Sequence, residues 1–391
     1  MIHHFSSPQS FSRKWLEDIS AQGFLRKHRT VDGPQGPKII INGKEVLNFC
    51  SNDYLGLANS TELISAVKQG VERYGVGSGA SRLMSGHSRA HARLEERLAH
   101  FTGRARALVF STGYMANLAL INALFGKPGM VIGDRLNHAS LVDAAMLAGA
   151  KVRRYRHADP QALKELLGKT GTSLKKLVVT ESVFSMDGDI APLPAIAAVC
   201  AATNVPLLVD DAHGFGVLGK KGGGALEHFG LGMESVPLMM ATFGKALGAF
   251  GAFIAGEEEH IERLIQTGRT YIYTTALPPA LAEAACCAVD LVERERWRAD
   301  HLKALIDRFK RGVKQLGLPV ANTMTPIQPF LIGDTRRATE ISDLLFEKGI
   351  FIAAIRPPTV PKNTARLRIS LTATHTEAQV DHLLSVLSDL V

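Results

Sequence analysis

The sequence predicts an α/β protein, a mostly parallel sheet covered by helices, followed by a smaller α+β unit. Three observations carry the prediction. Between residues 51 and 256, short runs rich in Val, Leu and Ile alternate with segments of helical period, and that alternation specifies parallel strands joined by helices. Beyond Pro279 a long helical stretch leads into a second, shorter set of strands and helices. With 391 residues, 46% hydrophobic and 21% charged, the chain can bury a large core, and its length suggests two or three domains.

In chain order, residues 10 to 28 read as an amphipathic helix, followed by KIIINGKEVLNF, where Asn42-Gly43 between two β-prone runs signals a tight hairpin. The pairs that follow are ALVFS with YMANLALINALF, MVIGD with SLVDAAMLAG, VRRYR with PQALKELLG, and LVVTES with LPAIAAVCAAT, and LLVDDAH closes the series. From Pro279 to Leu316 the pattern is helical throughout and reads as a connector. QPFLIG, a helix over Arg336 to Lys348, FIAAI, ARLRISL and a final helix complete the smaller unit. The expected division is an N-terminal helix and hairpin over 1–50, a large α/β domain over 51–285 and a small α+β domain over 286–391.

Several function classes fall away early. The longest apolar stretches, such as Ala280 to Val292, contain Glu283 and Asp290 and fall short of the roughly 20 apolar residues of a membrane span, so no membrane role is expected. The opening MIHHFSSPQSFSRKW has no apolar core before a cleavage site, so a cytoplasmic location is expected. Cys50, Cys200, Cys286 and Cys287 lack metal-binding spacing and read as small core residues. The formal charge of +8 comes from scattered Lys and Arg, which argues against nucleic acid but suits a phosphate-rich acyl donor or an acidic carrier protein.

Ligands of open α/β sheets bind beyond the carboxyl ends of the strands. Four such places hold reactive groups: STGY (Ser111–Tyr114), DRLNHAS (Asp134–Ser140), TESVFSMDGD (Thr180–Asp189) and VDDAHGFG (Val209–Gly216). Asp210 and His213 alone could simply cap a turn. Lys245 adds weight, because it is the one charge in ATFGKALGAFGA, and apolar surroundings lower a lysine pKa from about 10.4 toward neutrality, making a nucleophilic amine. A lysine whose stem is buried and whose ammonium reaches water is the competing reading.

Taken together, these residues meet the needs of pyridoxal phosphate (PLP): an amine for a Schiff base, an acid beside the ring nitrogen, and a phosphate cup. Lys245, Asp210, and Thr112-Gly113-Tyr114 at a helix start with Thr242 fill those places. His138 could lie flat on the ring, or cap a helix beside Asn137. The glycines of YGVGSGASRLMSG lie between two helical patterns, whereas a dinucleotide fingerprint joins a strand to a helix, so this segment reads as a mobile loop or a subunit contact.

The motifs SNDYLGL, GSGASRLMSG, DRLNHAS, TESVFSMDGD, VDDAHGFGVLG, TFGKALG, YTTALPP and AIRPPTVP, in this order, resemble the α-oxoamine synthases, PLP enzymes of the aspartate aminotransferase fold. The resemblance spans residue 25 to the C-terminus and implies a seven-stranded, mostly parallel sheet in the large domain. Within the family, IRPPTVP resembles the members that condense L-alanine with a pimeloyl thioester, and relatives using glycine or serine usually differ there. The family's roles put the Schiff base on Lys245, the pyridine nitrogen beside Asp210, the phenolic oxygen by His213, the ring under His138, and Ser185 on its other side. Thr112, Gly113, Tyr114 and Thr242 would hold the phosphate, with Thr274 or Thr275 supplied by a partner subunit of a homodimer. Asn52, Arg356 and Arg368 would face substrates, Arg368 taking the amino acid carboxylate, and Arg26 the far carboxylate of the acyl chain or its donor, which coenzyme A or an acyl carrier protein would deliver. Two departures stand out: Ser182 where relatives often have glycine, and the Arg82-Leu83-Met84 variant. Neither is expected to touch the chemistry.

Overall fold

Asn42 (φ 50°) and Gly43 (φ 79°) adopt the left-handed backbone that a two-residue hairpin demands. They join β2 (Lys38–Ile41) to β3 (Lys44–Asn48), behind α1 (Pro8–Ala21) and β1 (Val31–Asp32). The computed structural model describes residues 8–21, 24–26, 28–125, 129–171, 174–321 and 323–390. The first helix therefore stops at Ala21, earlier than the amphipathic pattern suggests, with residues 22, 23 and 27 outside the described set.

The chain then runs through α2 (Thr61–Tyr74), α3 (Arg89–Thr102), β4 (Arg106–Phe110), α4 (Gly113–Phe125), β5 (Gly129–Asp134), α5 (Ala139–Leu147), β6 (Lys151–Tyr155) and α6 (Pro160–Gly168). It continues with β7 (Lys175–Glu181), α7 (Leu193–Ala202), β8 (Leu207–Asp210), α8 (Ala225–Phe229), β9 (Leu238–Thr242), β10 (Ala252–Gly256), α9 (Glu258–Thr267) and α10 (Arg269–Ile272). The central sheet has seven strands in the order β4-β10-β9-β8-β7-β5-β6, parallel except where β10 runs against its neighbours β4 and β9. Strand alternation divides its apolar residues between two layers. Val109, Val178 and Val209 pack with Leu94, Ile196 and Val289, whereas Leu108, Val179 and Leu208 pack with Leu120, Leu141 and Ile261.

The stretch read as one connector is two helices, α11 (Pro279–Arg294) and α12 (Trp297–Gln315). Glu295 leaves the helical region at φ −106°, ψ 53°, and its carboxylate accepts from Arg298 Nε at 2.9 Å, fixing the corner. Beyond it come β11 (Ile327–Gly333), α13 (Thr335–Glu347), β12 (Ile350–Phe351), β13 (Ala354–Ile355), β14 (Ala365–Ser370) and α14 (Glu377–Leu390). FIAAI is not one strand. Phe351 pairs in parallel with Asn48 of β3, while Ala354 and Ile355 pair with β14, so the run leaves one sheet and enters another. No described helix is long and apolar enough to cross a membrane.

β9 and β10 escape the alternation of strands and helices because no helix separates them: they are antiparallel, with ATFGKALGAFGA as strand ends and connection. That connection is locked from outside. Gly248 has φ +62°, and a Cβ there would stand 2.2 Å from Ala58 N and 2.5 Å from Leu57 C, backbone atoms that cannot swing aside. Gly103 has nearly the same φ, +64°, with nothing within 4 Å. Gly103→Ala should therefore cost about 1 kcal/mol and Gly248→Ala roughly 3 kcal/mol, compared by urea denaturation.

A second tie fixes the loop after β7. His157 sits between Asp134 Oδ1 and Asp189 Oδ2, 3.0 Å from each. Burial lowers its pKa, but the hydrogen bonds and charges of the two carboxylates outweigh burial and raise it to about 10. A raised folded pKa means the stabilisation is complete below about 6.5 and fades as pH climbs through 10. His157→Gln should destabilise by roughly 2 kcal/mol at pH 6 and by much less above pH 10, read from urea midpoints at the two pH values.

Candidate active site

Lys245 lies in the β9–β10 connection, and the carboxyl ends of β7 and β8 deliver its surroundings. Its Nζ is 2.8 Å from His213 Nε2. Desolvation pulls its pKa down to about 8, against the opposing pull of Asp210 and Glu181, with Arg368 reinforcing the decrease. About a tenth of the amine is thus unprotonated at pH 7, against less than about a thousandth for an ordinary lysine. His213 is held neutral by burial and by the nearby Lys245 and Arg368 charges, which push its pKa well below the usual value.

Asp210 ends β8 and is 4% exposed. Among the described residues, its oxygens accept only from neutral donors, Asn117 Nδ2 at 3.0 Å and Ala212 N at 3.1 Å. Asn117 also donates to Ser140 Oγ at 2.9 Å. Ser140 Oγ lies 2.8 Å from His138 Nδ1, which accepts from Ser140 N at 3.2 Å. With Nδ1 an acceptor, Nε2 carries the proton, and burial lowers the His138 pKa to favour that neutral form. The helix-capping reading of His138 is therefore correct as geometry: it is the N-cap of α5, and the cap orients the ring.

Arg368, on β14, donates through Nε to Ser185 O at 2.6 Å, through Nη1 to Ser370 Oγ at 2.8 Å and through Nη2 to the phenolic Oη of Tyr54 at 3.3 Å. Tyr54 in turn binds Asn52 Oδ1 at 3.1 Å and His213 Nδ1 at 2.7 Å. Asn52, His213, Lys245, Arg368 and the Ser185 carbonyl thus form one connected set. At the start of α4, Thr112 Oγ1 accepts from Met115 N at 3.2 Å, and the N–H groups of Gly113 and Tyr114 precede any intrahelical acceptor. Tyr114 donates to Asp143. Thr242 Oγ1 donates to Gly251 O at 2.8 Å and accepts from Gly244 N at 3.2 Å, shaping the turn that carries Lys245.

Other candidates lie apart from this set. Thr274 is half-buried and Thr275 exposed, and no hydrogen bond among the described residues joins them to Lys245. Thr275 instead bridges to Ser81, and Ala276 N donates to Ala80 O at 3.0 Å, latching the glycine-rich segment. Arg26 reaches Thr359 Oγ1 at 3.4 Å while Arg356 reaches Leu25 O at 3.4 Å, so the two arginines strap the N-terminal segment to IRPPTVP.

Four residues were not singled out from sequence as parts of the site. Tyr54 and Glu181 sit inside quoted motifs, and Asn117 is a polar residue in an otherwise apolar helix; only the polarity of Asn117 offered a signal. Glu181 is 3% exposed, accepts from His138 N, and has its pKa raised to about 8 by burial and by Asp210. The fourth, Ser182, was noted as a departure without consequence, yet its hydroxyl donates to Asp211, the fully buried neighbour of Asp210. Burial raises Asp211 to about 7, and Ser182 works against that shift.

This donor set fits PLP. A buried carboxylate to which no cation bonds among the described residues suits a protonated ring nitrogen, a low-pKa amine suits an aldehyde, and the α4 N-terminus with Thr242 suits a phosphate. A family model described as aminotransferase class I and II matches residues 44–387. An 8-amino-7-oxononanoate synthase of Thioalkalivibrio sulfidiphilus is 53% identical over 372 residues, 95% of each chain. One from Nitrosococcus oceani is 55% identical over 95% of this chain and 98% of the relative. Among solved structures, a serine palmitoyltransferase from S. paucimobilis with PLP and myriocin bound superposes with TM-score 0.93 at 30% identity, covering 98% of both chains. An 8-amino-7-oxononanoate synthase from Francisella tularensis gives TM-score 0.77 at 34% identity over 88% of this chain and 97% of that one. The chain belongs to the class I and II aminotransferase family of PLP enzymes, in the α-oxoamine synthase branch that includes 8-amino-7-oxononanoate synthases.

Proposed function

We propose that this protein condenses L-alanine with a pimeloyl thioester to give 8-amino-7-oxononanoate, carbon dioxide and a free thiol, a step of biotin biosynthesis. The observation that carries the reading is the seat of Lys245, an amine lowered to about 8 beside His213 and Asp210, in a chain 53% identical to an enzyme named for that product. Bound there, PLP supplies an aldehyde for amines and a protonated ring that absorbs negative charge developing at the amino acid Cα. The side chains do the remaining work. Asp210 keeps the ring nitrogen protonated, and Asn117 fixes the carboxylate orientation. Lys245 would hold the cofactor through Nζ, and the same Nζ, unprotonated and not so engaged, would take the Cα proton and later return it. His213 would face the cofactor's phenolic oxygen and Ser185 its ring, and His138, its Nδ1 held by Ser140, would present Nε2–H to polarise an oxygen during acyl transfer.

Thr112, Gly113, Tyr114 and Thr242 cradle the phosphate through the helix N-terminus. Arg368 and Asn52 take the L-alanine carboxylate, lost as carbon dioxide after the acyl group has been joined to Cα. Arg356 and Arg26 border the entry of the acyl donor, a thioester of coenzyme A or of acyl carrier protein, whose thiol leaves with the electron pair of the broken C–S bond. All four cysteines are free, which fits a cytoplasmic setting. A second copy of the chain completes the site as a homodimer. Val76 and Met84, each 80% exposed, and Tyr273, 71% exposed, lie on the two segments that the Ser81–Thr275 bridge joins, an apolar patch suited to a partner, and Thr274 or Thr275 then reaches the phosphate of that partner.

Lys245→Ala should lower turnover by about 10³ or more while leaving the fold intact by circular dichroism. Mass spectrometry of products from alanine, glycine and serine, each offered pimeloyl and acetyl thioesters, should find the alanine–pimeloyl product dominant; a dominant glycine–acetyl product would replace this reading with its sibling reaction. Mixing Lys245→Ala chains with chains carrying both Thr274→Ala and Thr275→Ala should restore activity at about a quarter of the sites, since only mixed dimers rebuild one complete site. No recovery would place the phosphate cup within one chain.

A further inference from the structure

The phenol of Tyr54 joins residues from three separate parts of the chain. It is 0% exposed, and its oxygen lies 3.1 Å from Asn52 Oδ1, 2.7 Å from His213 Nδ1 and 3.3 Å from Arg368 Nη2. The far side of His213 is 2.8 Å from Lys245 Nζ. Donor accounting restricts the protons. Arg368 can only donate and Asn52 Oδ1 can only accept, so the single phenolic proton goes either to Asn52 or to His213.

Each choice fixes the rest of the chain of hydrogen bonds. If Tyr54 donates to Asn52, His213 Nδ1 must donate to the phenolic oxygen, and Nε2 then accepts a proton from Lys245. If Tyr54 donates to His213 Nδ1, Nε2 carries the hydrogen and donates to the lone pair of an unprotonated Lys245. His213 is neutral in both arrangements, as its burial requires. The first supports an ammonium at Lys245, the second a free amine.

We propose that Tyr54 is a positioning residue whose one phenolic proton, placed on Asn52 or on His213, sets whether Lys245 donates to His213 or accepts from it. This inference deepens the reading of Lys245 as the amine of the site and rests on it. The other charges that face Lys245 come from different elements: Asp210 of β8, Glu181 of β7 and Arg368 of β14, with His138 of α5 beside Asp210. They act on Lys245 through space, and they remain in place when only the phenol or the Asn52 amide is changed. The Tyr54 contribution is therefore separable from theirs. Arg368 keeps its bonds to Ser185 O and Ser370 Oγ when the phenol is removed, so the guanidinium stays anchored.

The test is a double-mutant cycle read on Lys245 itself, without turnover. The full chain, freed of PLP with hydroxylamine, is labelled with trace acetic anhydride across a pH series, and mass spectrometry of the Lys245 peptide gives the midpoint of its reactivity. Asn52→Ala removes the acceptor that competes with His213, so the phenolic proton moves to Nδ1 and the midpoint should fall by about half to one pH unit, the size of one hydrogen bond. In the Tyr54→Phe background the same Asn52→Ala change should leave the midpoint where it was. An equal shift in both backgrounds, or no shift in either, overturns the proposal. Circular dichroism melts establish that the variants fold, since Tyr54→Phe keeps the buried ring. A chain that gave the expected cycle but no 8-amino-7-oxononanoate would sink the proposed reaction and leave the role of Tyr54 standing.

Discussion

An ammonium taken out of water loses hydration that nearby charges must replace, and at Lys245 the replacement is incomplete by construction. Asp210 and Glu181 favour the charged form, while desolvation and the Arg368 guanidinium favour the free amine. Burial wins by a margin that leaves the pKa near 8. Both protonation states are then accessible around neutrality, as the proposed roles of nucleophile, proton acceptor and proton donor require. The same burial would leave a bare carboxylate at Asp210 expensive, and the structure meets that cost with neutral donors, leaving its charge free to act on a bound cation.

The two sides of the site are tied by separate hydrogen-bonded chains. On one, Asn117 uses both hydrogens of its amide, one on Asp210 and one on Ser140, and Ser140 sets the imidazole of His138. On the other, Tyr54 connects Asn52 and Arg368 to His213 and so to Lys245. Asp210 ends β8 and His213 stands three residues further on, so β8 is the common root of both chains. Ser182 adds a third contact to that root by holding Asp211. A residue that looks like a neutral departure from relatives thus buttresses the strand end on which the carboxylate rests.

Much of this was legible in the sequence. Lys245, Asp210, His213 and His138 stand directly after strands, and the strand ends of an α/β sheet are few, so residue type and position together pointed to them. β9 and β10 were not legible, because two antiparallel strands with a polar-poor connection leave no helical period between them. FIAAI was read as one strand because composition cannot show that Ile352 and Ala353 turn the chain from one sheet into another. Tyr54, Asn117 and Glu181 escaped notice for a different reason. Each acts through another residue, and sequence shows which groups are reactive but not which ones hold them.

The precision of the arrangement comes from backbone contacts as much as from side chains. Segment 49–58 touches both parts of the chain that build the site. Its Leu57 and Ala58 leave no room for a side chain at Gly248, which pins the Lys245 connection from one side. Asp53 stiffens the same bend, its carboxylate accepting from Leu57 N at 2.8 Å and Ala58 N at 3.0 Å. From the other side, Ser370 N donates to Phe49 O and Ala373 N to Tyr54 O, each at 2.8 Å, coupling the segment to β14 and the residues just after it. Gly56 lies against Thr374, again with no space for a Cβ. Arg368 and Tyr54 must therefore move together if the C-terminal unit shifts on the large sheet, while the Gly248 contact holds Lys245 to the same strap. Arg368, Tyr54 and Lys245 are thus referenced to one short stretch of main chain, which is why the side chains between them can keep hydrogen-bond distances across a junction between two sheets.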